Sequence, residues 1–361
     1  AQADSVTLRI ATYNVAINRP APGGLAEELE TAPSPQALAA VAVIRTVRPD
    51  VLVLNELDHD PERRALQAFW RLVTAEAGPG LPLEPAFDFT APVNTGEPSG
   101  FDLDGDGHVG GPGDAWGYGE FPGQYGMAVI SRLEIDYANE RTFQRFLWQD
   151  LPDNLLPHDF YDAAAERLRL SSKSHWDVPI KLGRLGTLHL LVSHPTPPVF
   201  DGPEDRNGRR NADEVRFWRH YVDGAGPWLT DDAGRTGGLA AGVPFVILGD
   251  LNLSPTDGDG RSEAIAELLA HPRVRDPEPR SAGAIEAAAG QGGANARHAG
   301  DPALDTADWR DRPGPGNLRV DYVLPSVDLR VVDAGVWWPE AATDPVAAAT
   351  AARASDHRLV W

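Results

Sequence analysis

The sequence contains no cysteine. That excludes disulfides, thiolate metal sites and a cysteine nucleophile. Lysine is nearly missing: Lys173 and Lys181 stand alone among basic residues that are otherwise arginine. A GC-rich genome explains most of that bias. No apolar run approaches the ~20 residues that cross a bilayer, so a membrane-spanning helix is excluded. Nor is there a basic run interleaved with aromatics of the kind that follows a nucleic-acid backbone. The charge runs the other way: 53 acidic residues against 32 basic ones give a net −21 at neutral pH. Such a charge favours solubility, fits a salt-rich setting and repels long polyanions at a distance.

A hydrophobic content of 42% is ample for a core and excludes a disordered chain. No internal repeat and no break in composition divides the 361 residues. The reading is one domain over 1–361, a monomer, with loop insertions at about 87–125 and 255–317. The chain opens Ala1-Gln-Ala3-Asp4-Ser5. That matches the remnant of a signal peptide cut after an Ala-x-Ala site; a cloning remnant would look the same. The first reading predicts a secreted or periplasmic protein.

The most informative stretch is Val243 to Pro255. Phe245 to Leu248 is a short apolar run read as a buried strand. Asp250 and Asn252 follow, two apart, so extended backbone puts both side chains on one face. A carboxylate beside an amide oxygen suits a hard cation such as magnesium, manganese or calcium. The plain alternative is a turn, which Gly-Asp and Asn also favour. Other strand ends carry similar residues. Val6 to Tyr13 alternates as a strand and ends at Asn14. Ser34 to Val47 has helical spacing with a cap and a proline at its start. Val51 to Leu54 is a buried strand that delivers Asn55-Glu56, and a helix follows over about 62–77. Gly126 to Ser131 is a strand. Val178 to Leu182 and Thr187 to Val192 form a hairpin ending at Ser193-His194-Pro195. A helix is expected from about Asp213 to Val222, and another from Ser262 to Ala270. Leu318 to Leu324 is a strand with Asp321 in its middle, and a last strand follows Asp356-His357.

Two further clusters stand out. Asp102, Asp104 and Asp106 alternate with glycines, and Asp114 follows. This is the first half of a calcium loop, without flanking helices; an acidic surface excursion is the alternative. Arg206, Arg209 and Arg210 sit close together in an acidic chain. Arginine forks suit phosphate oxygens, although neighbouring acids could pair with them.

The ordered set Thr-Tyr-Asn14, Leu-Asn-Glu56, Ser-His194-Pro, Gly-Asp250-Leu-Asn252, Arg-Val-Asp321-Tyr and Ser-Asp356-His357 resembles the endonuclease/exonuclease/phosphatase superfamily. The match runs from about Leu8 to Val360. The resemblance implies an α+β fold: a four-layered α/β sandwich of two mostly antiparallel sheets flanked by helices, with the site at one edge. It implies that Glu56 and Asp356 hold Mg2+ or Mn2+, with Asp250, Asn252 and His357 close to the metal or the attacked phosphate. Asn14 would donate to the phosphate, Asp321 would orient His357, and His194 would act as an acid. Asp177 is the weakly matched partner of His194. Some members ligate metal with an Asp two residues after the first Asn; here that position is Ala16.

The activity implied is hydrolysis of a phosphoester by an activated water. Asp250 would position the water, and His194, His357, Asn14 and Asn252 would stabilise the phosphoryl oxygens. The charge favours a small phosphomonoester or phosphodiester, bound through Lys173, His175, Arg206 and Arg210. Nucleic acid, DNA or RNA, is expected as a substrate only. An inactive calcium-dependent binding protein is the remaining alternative.

Overall fold

In the computed structural model, residues 5–361 are described. The Ala1-Gln-Ala3 stretch read as a cleavage remnant lies outside them. Nine strands and eight helices follow in chain order among the described residues. They are β1 (Ile10–Asn14), α1 (Gly24–Thr31), α2 (Pro35–Val47), β2 (Val51–Asn55), α3 (Arg64–Thr74), β3 (Phe87–Phe89), β4 (Met127–Ser131) and β5 (Arg141–Thr142). Then come α4 (His158–Tyr161), β6 (His175–Lys181), β7 (Thr187–Ser193), α5 (Arg206–Val222) and β8 (Phe245–Asp250). The last are α6 (Glu263–Leu269), α7 (Ala282–Gln291), β9 (Asp321–Pro325) and α8 (Pro345–Ala354).

Two sheets result. One has the order β1-β2-β4-β3 and the other β5-β6-β7-β8-β9. Each contains one parallel pair, β1 with β2 and β7 with β8; the other pairs are antiparallel. The sheets pack face to face. Val51, Val53 and Val129 of the first meet Trp176, Val178, Leu190, Val192 and Leu248 of the second. The alternate residues point outward. Leu52, Leu54 and Ile130 are covered by α1, α2 and α3, and Leu191, Ile247 and Leu324 by α5 and α6. The inner strands β2, β4 and β8 are therefore buried on both faces, which is why they read as short apolar runs. The result is the expected four-layered α+β sandwich.

Several boundaries differ from the sequence reading. The helix expected from Asp213 begins at Arg206. Its inward face carries Arg210, Asn211, Asp213 and Glu214, all buried, so apolar periodicity cannot reveal it. β9 starts at Asp321, which places that carboxylate at a strand end and not mid-strand. The Ala-rich α7 and α8, and α1, carry too little apolar contrast to show a face. Residues 357–360 are extended, and Val360 exchanges backbone hydrogen bonds with Thr12 at 2.9 and 3.0 Å. The 87–125 segment packs against the approach to β6: Asn94 N donates to Lys173 O at 2.9 Å.

Gly249 shows how tightly the site end of the second sheet is closed. Its φ is +144°, and a Cβ there would stand 2.1 Å from the Ser193 carbonyl oxygen. Gly249→Ala should cost about 1–3 kcal/mol of stability, the usual scale for overpacking a closed site. Urea unfolding checks it; an unchanged midpoint would show that β7 and β8 are free to separate there.

Candidate active site

Strands of both sheets end at one edge of the sandwich, and their terminal side chains meet around Asp250. Asp250 is fully buried. Its Oδ2 accepts from Asn14 Nδ2 at 3.0 Å and lies 3.3 Å from His194 Nε2 and 3.5 Å from His357 Nε2. Its Oδ1 accepts from the Asn252 amide at 2.9 Å. Its own N–H donates to Asn55 Oδ1 at 3.0 Å. Asn14 and Asn55 belong to the first sheet, so Asp250 ties the two sheets together. Asn14 also donates to Glu56 Oε1 at 3.1 Å, and Asn18 donates to Glu56 Oε2 at 2.8 Å. One amide is thus shared by two carboxylates.

Asp321 stands directly opposite Asp250 in the β8–β9 register. Its Oδ2 accepts from His357 Nδ1 at 2.8 Å and from Thr306 Oγ1 at 2.7 Å. Its Oδ1 is buried without a partner. The electrostatics follow from this crowding. Burial raises the Asp321 carboxyl to about 6 despite the facing His357. Burial opposes a charge on His357 as well, but Asp321 and Asp250 together push its pKa well above the ordinary histidine value. Asp250 is held below the usual carboxylate range: burial works against it, and His357, His194 and Asn14 outweigh burial. His194 is lowered, by burial first and the Lys173 charge second. The two imidazoles are driven apart, one towards the neutral form and one towards the charged form, as acid–base chemistry requires.

The backbone around the site is strained. Beyond β1, β2 and β8 lie Ala16, Glu56 and Asn252, with φ of 49°, 59° and 52°. Such left-handed residues without glycine concentrate at functional sites. Asn252 is therefore not extended as expected. It reaches the site through this turn, and its Nδ2 is spent on the Pro195 carbonyl at 2.9 Å.

The donor set fits a hard divalent cation. One ligand atom each of Asp250, Asp321 and His357 lie within 4.8 Å of one another. Glu56 adds a half-buried carboxylate next to Asp250, and Asp321 Oδ1 still lacks a partner. Asp356 does not join them. It is exposed, and its Oδ2 accepts from Trp309 Nε1 at 3.0 Å. In extended backbone, neighbours face opposite ways, so burying His357 turns Asp356 out.

The expected cationic rim is also corrected. Arg210 is buried and donates to four backbone carbonyls, those of Leu170, Trp116, Arg169 and Ser171. Arg206 pairs with Glu204 and lies over the Phe160 ring. His175 is fully buried; Nε2 donates to the Glu214 carbonyl at 2.8 Å and Nδ1 accepts from Ser171 Oγ at 2.6 Å. Lys173 stands otherwise: it is buried, that burial lowers its pKa, the charges of Glu214, Glu56 and Asp250 work against the shift, and Arg210 adds to it. Asp177 serves His189 and Tyr221 at 2.7 and 2.5 Å, not His194.

Several supports were not visible in the sequence. Glu214 accepts from the N–H groups of Ser172 and Thr196, both at 2.7 Å, and so joins the Lys173 segment to the His194 loop. Asn211 donates to the carbonyls of Thr196 and Leu251 at 2.8 and 3.0 Å. A long polar helix face with no apolar stripe was the one signal for them. In the 102–114 loop, oxygens of Asp102, Asp104 and Asp106 lie within 4.8 Å of one another. Asp114 is not with them. It is buried and accepts from the amides of Leu103 and Gly110 at 2.6 and 2.7 Å.

His175 carries a pH prediction. Burial lowers its pKa from 6.5 to about 4. Between those values the unfolded chain takes up a proton that the folded one refuses. Stability therefore falls as the pH drops through that window, by about 1.4 kcal/mol per unit from this group. Urea unfolding at pH 6.5, 5.5 and 4.5 should show a shallower fall for His175→Gln than for the parent; equal slopes would refute a neutral His175.

The match to known proteins agrees with this geometry. Residues 11–357 match the model of the Endonuclease/Exonuclease/phosphatase family. No curated protein matches the chain. Among solved structures, an endonuclease/exonuclease/phosphatase from Beutenbergia cavernae is 20% identical, with a TM-score of 0.51 over 98% of this chain and 70% of that one. A family protein from Leptotrichia buccalis is 14% identical, with a TM-score of 0.49 over 98% of each chain. Sphingomyelinase C from Streptomyces griseocarneus is 15% identical, with a TM-score of 0.48 over 99% of this chain and 98% of that one. From its first strand to His357, the chain belongs to the endonuclease/exonuclease/phosphatase family.

Proposed function

We propose that the protein is a divalent-cation-dependent phosphoesterase that hydrolyses small phosphomonoesters or phosphodiesters, working as one catalytic unit over the whole chain. The observation that supports it most is the single Asp250 oxygen faced by two imidazoles and an amide, beside a second carboxylate. Glu56 and Asp250, sharing the Asn14 amide, would hold Mg2+ or Mn2+. When bound, the ion would neutralise phosphoryl charge and favour ionisation of the attacking water.

The remaining steps belong to side chains. Asp250, ionised and fixed by Asn14 and the Asn252 amide, aligns the water for in-line attack. His357, charged between two carboxylates, donates from Nε2 to a phosphoryl oxygen. Lys173 adds a cation on the side where it feels Glu56 and Asp250. His194, driven towards neutrality by burial and Lys173, exchanges a proton with water or leaving group at Nε2. Preorganised donors of this kind contribute orders of magnitude to turnover because they are set before the charge develops.

Arg206 and Arg210 are spent on Glu204 and on backbone carbonyls, which leaves Lys173, near enough to feel Glu56 and Asp250, as the cation for the substrate in this reading. One cation on an acidic surface suits a compact phosphate better than a polymer. A secreted nuclease is the competing reading, and secretion or export to the periplasm is part of this proposal. The full set of acid, amide and imidazole groups argues against an inactive calcium-binding protein.

Chelator should abolish hydrolysis of an aryl phosphoester, and magnesium or manganese should restore it. Asp250→Ala and His194→Ala should each lower kcat by about 10²–10⁴-fold, and Lys173→Ala should raise KM more than it lowers kcat. Plasmid nicking that exceeds aryl phosphoester turnover, weakens steeply with salt and vanishes in Asp250→Ala would establish the nuclease instead.

Calcium at Asp102, Asp104 and Asp106 is proposed as a structural site, on the 4.8 Å grouping of their oxygens. A ligand bound to the folded state raises stability by mass action. Calcium should raise Tm in the parent and not in Asp104→Ala; no shift in the parent removes the site.

A further inference from the structure

Residues 306–309 fall within the insertion read as loop, yet they run as an extended strip between two site segments. Thr306 N donates to Leu318 O at 2.9 Å, on the approach to Asp321. On the other side Arg358 N donates to Thr306 O at 2.8 Å and Asp308 N to Asp356 O at 2.7 Å. The strip therefore touches both members of the Asp321–His357 pair.

Thr306 has a hydroxyl with all its hydrogen bonds determined. Its oxygen accepts from Val320 N and from Asp321 N, each at 3.0 Å. A hydroxyl has two lone pairs and one proton. With both lone pairs taken, the proton has one place to go: Asp321 Oδ2, 2.7 Å away. That same oxygen accepts from His357 Nδ1. Because the carboxylate oxygen accepts both, Nδ1 carries a hydrogen and Nε2 is aimed at Asp250. Trp309 closes the opposite side. Its ring stands 5.4 Å from the His357 ring at 83°, and its Nε1 is anchored on Asp356 at 3.0 Å.

We propose that Thr306 is a positioning residue: its hydroxyl proton selects the Asp321 oxygen that meets His357, and so fixes the direction of that imidazole, with Trp309 restraining the ring from outside. Without that proton, Asp321 keeps one donor where it had two, and its partnerless Oδ1 is free to exchange with Oδ2. The imidazole then loses its fixed aim. The kinetic part of this inference rests on the phosphoesterase reading; the structural part does not.

The test compares the parent with Thr306→Ser, which keeps the hydroxyl, and Thr306→Val, which keeps the shape. The first readout is the low-field proton resonance of His357 Nδ1–H, identified by its loss in His357→Ala. It should persist in Thr306→Ser and vanish or broaden in Thr306→Val. The second is steady-state hydrolysis of an aryl phosphodiester with magnesium. Thr306→Val should lower kcat about 10- to 100-fold, the usual effect of losing a supporting hydrogen bond, with KM changed less than about threefold and Thr306→Ser near the parent. In a His357→Ala background, Thr306→Val should cost nothing further, since groups acting as one unit are not additive.

An unchanged resonance and kcat in Thr306→Val overturn the proposal. So does a Thr306→Ser loss as large as that of Thr306→Val, or a loss that multiplies with His357→Ala. If Thr306→Val does not fold by circular dichroism, Thr306→Ala takes its place with the same expected results. A parent with no phosphoester turnover overturns the function proposed above, while the resonance still decides the role of Thr306.

Discussion

Two buried carboxylates standing opposite one another on adjacent strands are the constraint that shapes this molecule. Asp250 and Asp321 are in register, both fully buried, and like charges directly across a ladder repel. Nothing in an apolar core tolerates that arrangement unassisted. Here His357 stands between them, His194 and Asn14 serve the outer side of Asp250, and Thr306 serves Asp321. The repulsion that would open the sheet is converted into a demand for positive charge at one spot. A divalent cation and an imidazolium both answer that demand.

The second sheet could not hold this edge alone. Its β7 and β8 ends enter loops whose backbone is fastened from outside by α5. Glu214 and Asn211 hold the segment before β6 and the loops after β7 and β8, and Arg210 fastens that same segment leading to Lys173. The first sheet fastens the edge from within, through Asn14 and Asn55. The left-handed turns at Ala16, Glu56 and Asn252 are stable because these bonds over-determine them. Rigid strands set the position of each residue, and short strained turns set its aim.

The strand ends at the site were legible because the strands that carry them are largely buried. An apolar run broken by Asn, Glu, His or Asp is a clear signal under those conditions, and the two-sheet core came from the family resemblance that those strand ends carry. What the sequence hid has a common cause. Arg210, Glu214 and Asn211 bond to backbone groups, which any residue can supply, so no partner residue marks them. Their helix turns a polar face inward, against the usual periodicity. Asp356 was misplaced because neighbouring positions in a strand point opposite ways, and sequence alone does not say which of Asp356 and His357 faces in. Asn252 was misaimed because a left-handed turn replaced the extended backbone assumed for it. Asp114 reads like its neighbours but faces inward, where it braces the loop.

The backbone pairing of Thr12 with Val360 joins positions nearly a whole chain apart. It covers the open edge of β1, and it lies three residues from His357. On a ribosome, β1 would emerge early and wait with that edge exposed until the segment around Val360 arrived. Contacts of such sequence separation are slow to form and dominate the folding time of the proteins that depend on them. His357 sits beside that long-range contact, so a chain cut before it carries the two acids without the histidine between them.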